Sequence, residues 1–406
     1  MKPTAEPLRG RLTQVVLATL ASTVGFWAWM SIAPLQKSYA TSMGLSEAQT
    51  ALMLATPVLV GSLGRVLVGA MTDRYGARRM FVTILLGAVP AVLLVALAGE
   101  QKIYWLLILA GFYLGVAGTV FAVGIPFSSA WYEPKRRGFA NGVFGMGMVG
   151  TAVSAFFTPR LAASIGYVPT HLVIAGALVV MAGVVWFAMK ESPAWTPVRQ
   201  PVWPRIVSAL QLKLTWELSF LYAVVFGGFV AFSTFLPKYL TTVYAGHIDQ
   251  IGAGNRMGSF VIAAVIARPV GGVLADRLGS KPVTIASLTA VGVLSVVIGL
   301  QLPEGIVTGA TFLAIAAALG LGMGAVFAWV PLLAPADRVG SVSGVVAAAG
   351  GLGGYFPPLV MGATYDAAHN SYSLGLWLLF ATAVVALVLT VALRGRVASV
   401  PAEAVS

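Results

Sequence analysis

The sequence predicts an all-α membrane protein, with twelve transmembrane helices arranged as two pseudo-symmetric six-helix bundles. Three observations predict it. Of the 406 residues, 58% are hydrophobic and only 9% charged, whereas a soluble domain carries about 25% charged residues. Apolar runs longer than 18 residues, each sufficient to cross a bilayer, recur along the chain. The motif R-x3-G-x3-D-R-x-G occurs twice, every member displaced by 203 residues. A β-barrel would instead show short segments of alternating hydrophobicity.

The predicted spans cover residues 12–36, 47–71, 78–98, 103–128, 138–160, 169–190, 214–240, 251–275, 281–302, 306–332, 340–365 and 372–393. The first follows the basic stretch "MKPTAEPLRGR" without a convincing signal-peptidase site, so it reads as a retained helix. Between the sixth and seventh lies "KESPAWTPVRQPVWPR", whose four prolines and mixed charges mark a linker. The expected division is an N-terminal bundle at 1–190, a cytoplasmic linker at 191–212 and a C-terminal bundle at 213–406. A second echo supports the duplication: "GTVFAVGIPF" (118–127) resembles "GAVFAWVPLL" (324–333), and "GFANG" (138–142) resembles "GSVSG" (340–344).

The net charge of +12 has a topological explanation. With these spans, eighteen Lys and Arg residues fall on the side of the N-terminus and five on the opposite side. The positive-inside rule then places both termini in the cytoplasm of a prokaryotic inner membrane, and the basicity is not a nucleic-acid footprint. There are no cysteines, which excludes disulfides and thiolate chemistry. His171, His247 and His369 are far apart and form no metal motif; no cofactor is expected.

Arg65 and its repeat mate Arg268 carry the chemistry. Each lies eight residues before an aspartate at a cytoplasmic helix end (Asp73, Asp276), or roughly 12 Å into a hydrocarbon core about 30 Å thick. A charge there costs at least about 2.5–3.5 kcal/mol on insertion scales, so it faces a cavity or a partner. The acidic residues lie near one face or the other, and Glu217 is too close to the cytoplasmic end to serve both arginines. Two unpaired guanidiniums suit a planar oxyanion; the alternative is a structural role satisfied by backbone carbonyls. The absence of mid-membrane Asp, Glu or His also favours anion exchange over proton coupling, with Lys213 and the tyrosines left as proton carriers for the second case. Phe121, Phe327, Tyr222 and Phe226 are candidate aromatic walls, against the alternative of plain packing.

Glycines cluster in "NGVFGMGMVG" (141–150), with Gly142, Gly145 and Gly147, and in "AAAGGLGGYFPP" (347–358), with Gly350, Gly351 and Gly353. Small residues let membrane helices approach closely. Asp73, Arg74, Gly76 and Arg78, and the repeated Asp276, Arg277 and Gly279, occupy loops between the second and third helix of each half. An acid at a helix C-terminus is unfavourable beside the dipole. A partner is therefore expected, and the two loops read as a gating latch between the halves.

"GAMTDRYGARR" resembles the loop motif of the major facilitator superfamily, and the two halves cover the whole chain. More narrowly, Arg65, Arg268 and "GLGMGAVFAWVPLLAPADRVGSVSGVVAAAGGLGGYFPPLVMG" resemble the nitrate/nitrite porter family. The resemblance implies the major facilitator fold, with the paired arginines holding the anion and Phe121, Phe226 and Tyr222 stacking on it. It also implies signature helices at 138–150 and 344–354. One departure concerns the fifth helix, where the family's asparagines give way to Met146, Met148 and Val149. The reading is a transporter, not an enzyme, that moves nitrate or nitrite by alternating access as an exchanger or a proton symporter, working as a monomer in the bilayer. Another small anion (oxalate, formate or cyanate) is the alternative substrate. Carboxylate porters of the superfamily tend to place a lysine in the eleventh helix, and 340–365 has none. An anion channel is the alternative from another class.

Overall fold

The computed structural model describes residues 10–132, 137–193, 195–197, 202–334 and 339–393. Among them are twelve helices long and apolar enough to span a membrane: Arg11–Met43, Glu47–Tyr75, Ala77–Glu100, Tyr104–Ala130, Ala140–Ile165, Tyr167–Ala188, Lys213–Val243, Gln250–Leu278, Ser280–Gly299, Ile306–Val330, Ser341–Ala363 and Ser373–Ala392. They are called the first to twelfth helices below. A short helix, Val202–Leu210, lies between the sixth and the seventh.

Four of the spans are interrupted: the fourth turns at Thr119, between Gly118 and Val120, and the other three each break for a local reason. The first passes through a 3₁₀ turn, Ala33–Leu35, at Pro34, and continues to Met43 rather than stopping near residue 36. The fifth loosens into a 3₁₀ segment, Met146–Val149, inside its glycine-rich run. The eleventh breaks between Leu352 and Phe356, where Gly353, Gly354 and the following prolines withdraw helix propensity and a backbone donor.

The packing repeats between the halves. The second helix lies on the fourth, as the eighth lies on the tenth; the third lies on the sixth, as the ninth lies on the twelfth. The fifth packs on the first, as the eleventh packs on the seventh. Bare glycines set the closeness of that last pair of contacts. A Cβ on Gly150 would fall 2.0 Å from the Thr23 carbonyl oxygen, and one on Gly353 would fall 2.2 Å from that of Ala223. The halves meet where the second helix touches the eleventh and the eighth touches the fifth. Buried Ser and Thr side chains, such as Ser62, Thr72, Ser233 and Thr241, return their hydroxyls to the carbonyl four residues back, which satisfies them without a partner helix.

The repeated loops close on the same backbone device. Gly76 (φ 88°, ψ 153°) and Gly279 (φ 91°, ψ 145°) each join two helices in a conformation that side chains with a Cβ rarely adopt. Gly69, about two helical turns before Gly76, has open space at its Cβ position. Gly76→Ala is therefore expected to destabilise the protein by about 1–3 kcal/mol, while Gly69→Ala leaves it unchanged or slightly stabilised. Thermal unfolding of the two detergent-purified variants checks the contrast; equal melting temperatures would contradict it.

Candidate anion site

The second and eighth helices are both 29 residues long, and each places its arginine eighteen residues after its first residue and ten before its last. At about 1.5 Å per residue this sets both guanidiniums roughly 15 Å from the ends that carry the motif loops. Arg65 is 3% exposed. Its Cζ stands 5.3 Å from the centroid of Phe226, 5.5 Å from Phe121 and 5.8 Å from Trp29. The Cζ of Arg268 stands 5.4 Å from the same Phe121 ring. One aromatic residue of the fourth helix thus lies against two cations from opposite halves.

Each arginine also reaches across to the glycine-rich helix of the other half. Arg65 Nη1 donates to the Ala347 carbonyl of the eleventh helix at a long 3.5 Å. Arg268 Nη1 donates to Met148 Sδ of the fifth helix at 2.9 Å, and Nη2 donates to the Tyr222 hydroxyl at 3.3 Å. Neither arginine is in the ion pairs found among the described residues, which are Lys213–Glu217, Lys238–Glu47, Arg256–Glu304 and His369–Asp366. Arg65 Nε and Nη2 are buried and have no hydrogen-bond partner there.

The magnitudes show what is missing. A cation–π contact is worth about 0.5–2 kcal/mol, whereas burying an ion costs several kcal/mol even after relaxation. Ring faces also leave the in-plane N–H groups of a guanidinium unused, and each buried donor without an acceptor costs about 1–3 kcal/mol. Such an arrangement suits an acceptor bearing negative charge.

The other expected wall residues converge here. Tyr222 stacks on Phe226 at 5.2 Å with an interplanar angle of 7°, and Phe226 stacks on Phe121 at 6.3 Å. Phe327 lies 5.4 Å from Tyr222. The signature glycines divide by role. Gly145 brings its backbone beside the Arg268 guanidinium, 3.9 Å from Cζ to where its Cβ would stand. Gly147 packs on Ser22, Gly351 on Ser62, and Gly353 on Ala223. Gly350 makes room for Tyr222, whose Cδ1 would be 2.3 Å from a Cβ. Gly142 faces open space and touches nothing in the site.

The loop residues lie apart from this cluster. Asp73 is half-buried in the last turn of the second helix, Arg74 stacks over Tyr75 at 5.4 Å, and Asp276 and Arg277 are exposed. Glu191, just after the sixth helix, accepts from the Arg78 backbone N–H at 2.7 Å and so caps the third helix beside Gly76. Lys281 donates to the Val391 and Leu393 carbonyls at the end of the twelfth helix. These contacts of Arg78 and Lys281 stay within their own halves.

Sequence reasoning missed three features. Trp29 joins the site from the first helix, its indole N–H already donated to the Pro57 carbonyl; no spacing signal marks it. Phe144 tilts against Phe121 at 5.4 Å and is equally silent in sequence. On the opposite face, polar contacts tie the halves together, among them those of Glu47, Gln36 and Ser38. Glu47 takes Lys238 Nζ on one oxygen at 2.8 Å and the Tyr372 hydroxyl on the other at 2.7 Å. Gln36 donates to Thr241 at 2.9 Å, and the Ser38 hydroxyl donates to Gln250 at 2.9 Å.

Twelve membrane-spanning helices in two repeated sets of six are the architecture of a membrane transporter. The model of the Major Facilitator Superfamily matches residues 16–247 and 242–405. The chain is 53% identical over 389 residues to the probable nitrate/nitrite transporter NarK2 of Mycobacterium tuberculosis (strain ATCC 25618 / H37Rv), covering 96% of this chain and 98% of that one. It is 31% identical over 379 residues to the nitrite extrusion protein of Bacillus subtilis (strain 168), covering 93% of each. Its fold matches the crystal structure of the human organic anion transporter MFSD10 (TETRAN) with a TM-score of 0.72 at 13% identity, covering 94% of this chain and 99% of that one. The chain belongs to the major facilitator superfamily and, within it, to the nitrate/nitrite porter family. It is a multi-pass membrane transporter; the family and these relatives are transporters, not enzymes.

Gly350→Ala tests the geometry of the cluster. The added methyl is expected to push Tyr222 off Arg268 and raise the half-saturation concentration for anion uptake by at least about tenfold, as misplacements near 1 Å do. Uptake by purified protein in liposomes measures it, and an unchanged value would separate Tyr222 from the site.

Proposed function

We propose that this chain carries nitrate and nitrite across the cytoplasmic membrane by alternating access, exchanging one anion for the other. The observation that carries the reading is Arg65: a buried guanidinium with two unpartnered donors, sharing Phe121 with a second arginine from the other half. The names of the relatives point to the anion. A planar oxyanion fits the fork of donors and offsets the repulsion of two like charges at once. The empty site keeps those charges unpaired, which makes reorientation without an anion costly and favours exchange. Lacking a carboxylate or imidazole among its described contacts, the site offers no ordinary proton carrier; proton symport is the competing mechanism.

In this reading the basic face is cytoplasmic, both termini lie there, and the halves 1–190 and 213–406 rock about the site on the linker 191–212. The Glu47–Lys238–Tyr372 contact and its two neighbours form the outer seal. The loops at Asp73, Arg74, Gly76 and Arg78 and at Asp276, Arg277 and Gly279 form the inner latch when the outer seal opens. Substrate site and latch share one helix in each half, so occupancy and gating are mechanically joined.

Labelled nitrate uptake into liposomes preloaded with nitrite or with buffer, with and without a pH gradient, tests substrate and coupling together. Nitrite inside is expected to accelerate uptake, and a pH gradient in buffer-loaded liposomes is expected to have little effect. Arg65→Lys should lower uptake by at least about tenfold while the protein still folds, because Lys lacks the planar fork; undiminished uptake would defeat the assignment. The absence of native cysteines allows a direct test of the seal. Ser38→Cys with Gln250→Cys, oxidised to a disulfide, should block transport, and reduction should restore it. Transport persisting in the cross-linked protein would remove the outer seal from the cycle.

A further inference from the structure

We propose that Met148 is a selectivity-determining residue that biases the arginine site toward weakly hydrated, charge-delocalised monovalent anions. This deepens the anion-transport reading and rests on it. Met148 is fully buried and lies in the 3₁₀ segment of the fifth helix, where its sulfur takes Arg268 Nη1 at 2.9 Å. A thioether is a weak acceptor and has no proton to give. It therefore holds the arginine loosely in the empty site and offers nothing to an anion that replaces it there.

The rest of the wall supports the same preference. The rings of Trp29, Phe121 and Phe226 face the guanidiniums, and the Trp29 N–H is committed to Pro57. Among the described contacts of the two arginines, hydrogen-bond donors to an anion thus come from Arg65, Arg268 and the Tyr222 hydroxyl, while the ring contacts are apolar. A buried polar group left without partners loses its hydration uncompensated. Formate concentrates its charge on two strongly hydrated oxygens and loses much on entering such a site. Nitrate and thiocyanate spread their charge and lose less. A side chain with a donor at position 148 would supply the missing hydrogen bond and remove the discrimination.

The test compares wild type, Met148→Gln and Met148→Leu in liposomes, measuring inhibition of labelled nitrate uptake by external thiocyanate and by external formate. In the wild type, thiocyanate is expected to inhibit at about tenfold lower concentration than formate, within the range that one unpaired polar group produces. Met148→Gln should bring the ratio close to one; Met148→Leu, similar in volume and without a donor, should keep it. A wild-type ratio near one, or an unchanged ratio in a transport-competent Met148→Gln, overturns the proposal. If Met148→Gln does not purify as a folded protein, Met148→Thr carries a donor with less bulk and is read in the same way. If the wild type takes up no nitrate, the transport reading fails by itself. Selectivity is then read by calorimetric titration of the purified protein: thiocyanate binding about tenfold tighter than formate supports the proposal, and equal binding overturns it.

Discussion

A buried guanidinium, Arg65, and a half-buried one of like charge, Arg268, share one phenylalanine, and neither has a carboxylate among its described contacts. Most of the surrounding architecture answers to that constraint. Aromatic faces soften the cost of burying Arg65 but cannot use its N–H groups. A permanent carboxylate would have satisfied the arginines and closed the site to any mobile anion. Arg65 keeps two donors without a partner among the described residues, which in the proposed function are the ones an anion takes up.

Glycine does the positioning. The fifth and eleventh helices come close enough to the first and seventh for backbone to touch backbone at Gly150 and Gly353. That closeness is what brings Ala347 to Arg65, and it clears the space that Tyr222 fills at Gly350. Both helices are also interrupted near the site, at Met146–Val149 and at the break after Leu352. Tight packing and a loosened backbone coexist because small residues permit the first and weaken helix propensity enough for the second.

Each arginine stands on one half and touches the signature helix of the other, so a motion of one half against the other changes the environment of both charges together. The contacts at the face opposite the motif loops, centred on Glu47, cross between the halves, whereas those of Arg78 and Lys281 stay within theirs. In the proposed cycle the crossing contacts at the Glu47 face are the ones that must part for that face to open.

The sequence by itself determined the twelve spans, the duplication and the two arginines, because those signals are local or strictly periodic: hydropathy over a span's length, a five-position motif repeated at one spacing, a charge where charge is expensive. It also marked Phe121, Tyr222 and Phe226, which are echoed between halves or lie beside a glycine pair. Tertiary structure alone decided the rest. Trp29 and Phe144 join the site through helix rotation, which no composition reveals, and Met148 became the partner of Arg268 only when the fifth helix met the eighth. Glu47, Lys238 and Tyr372 are distant surface-side residues in the sequence, and only the meeting of the two bundles makes them one contact. Periodicity fixes what a helix can bury; which neighbour it buries that face against is set by packing between segments far apart in the chain.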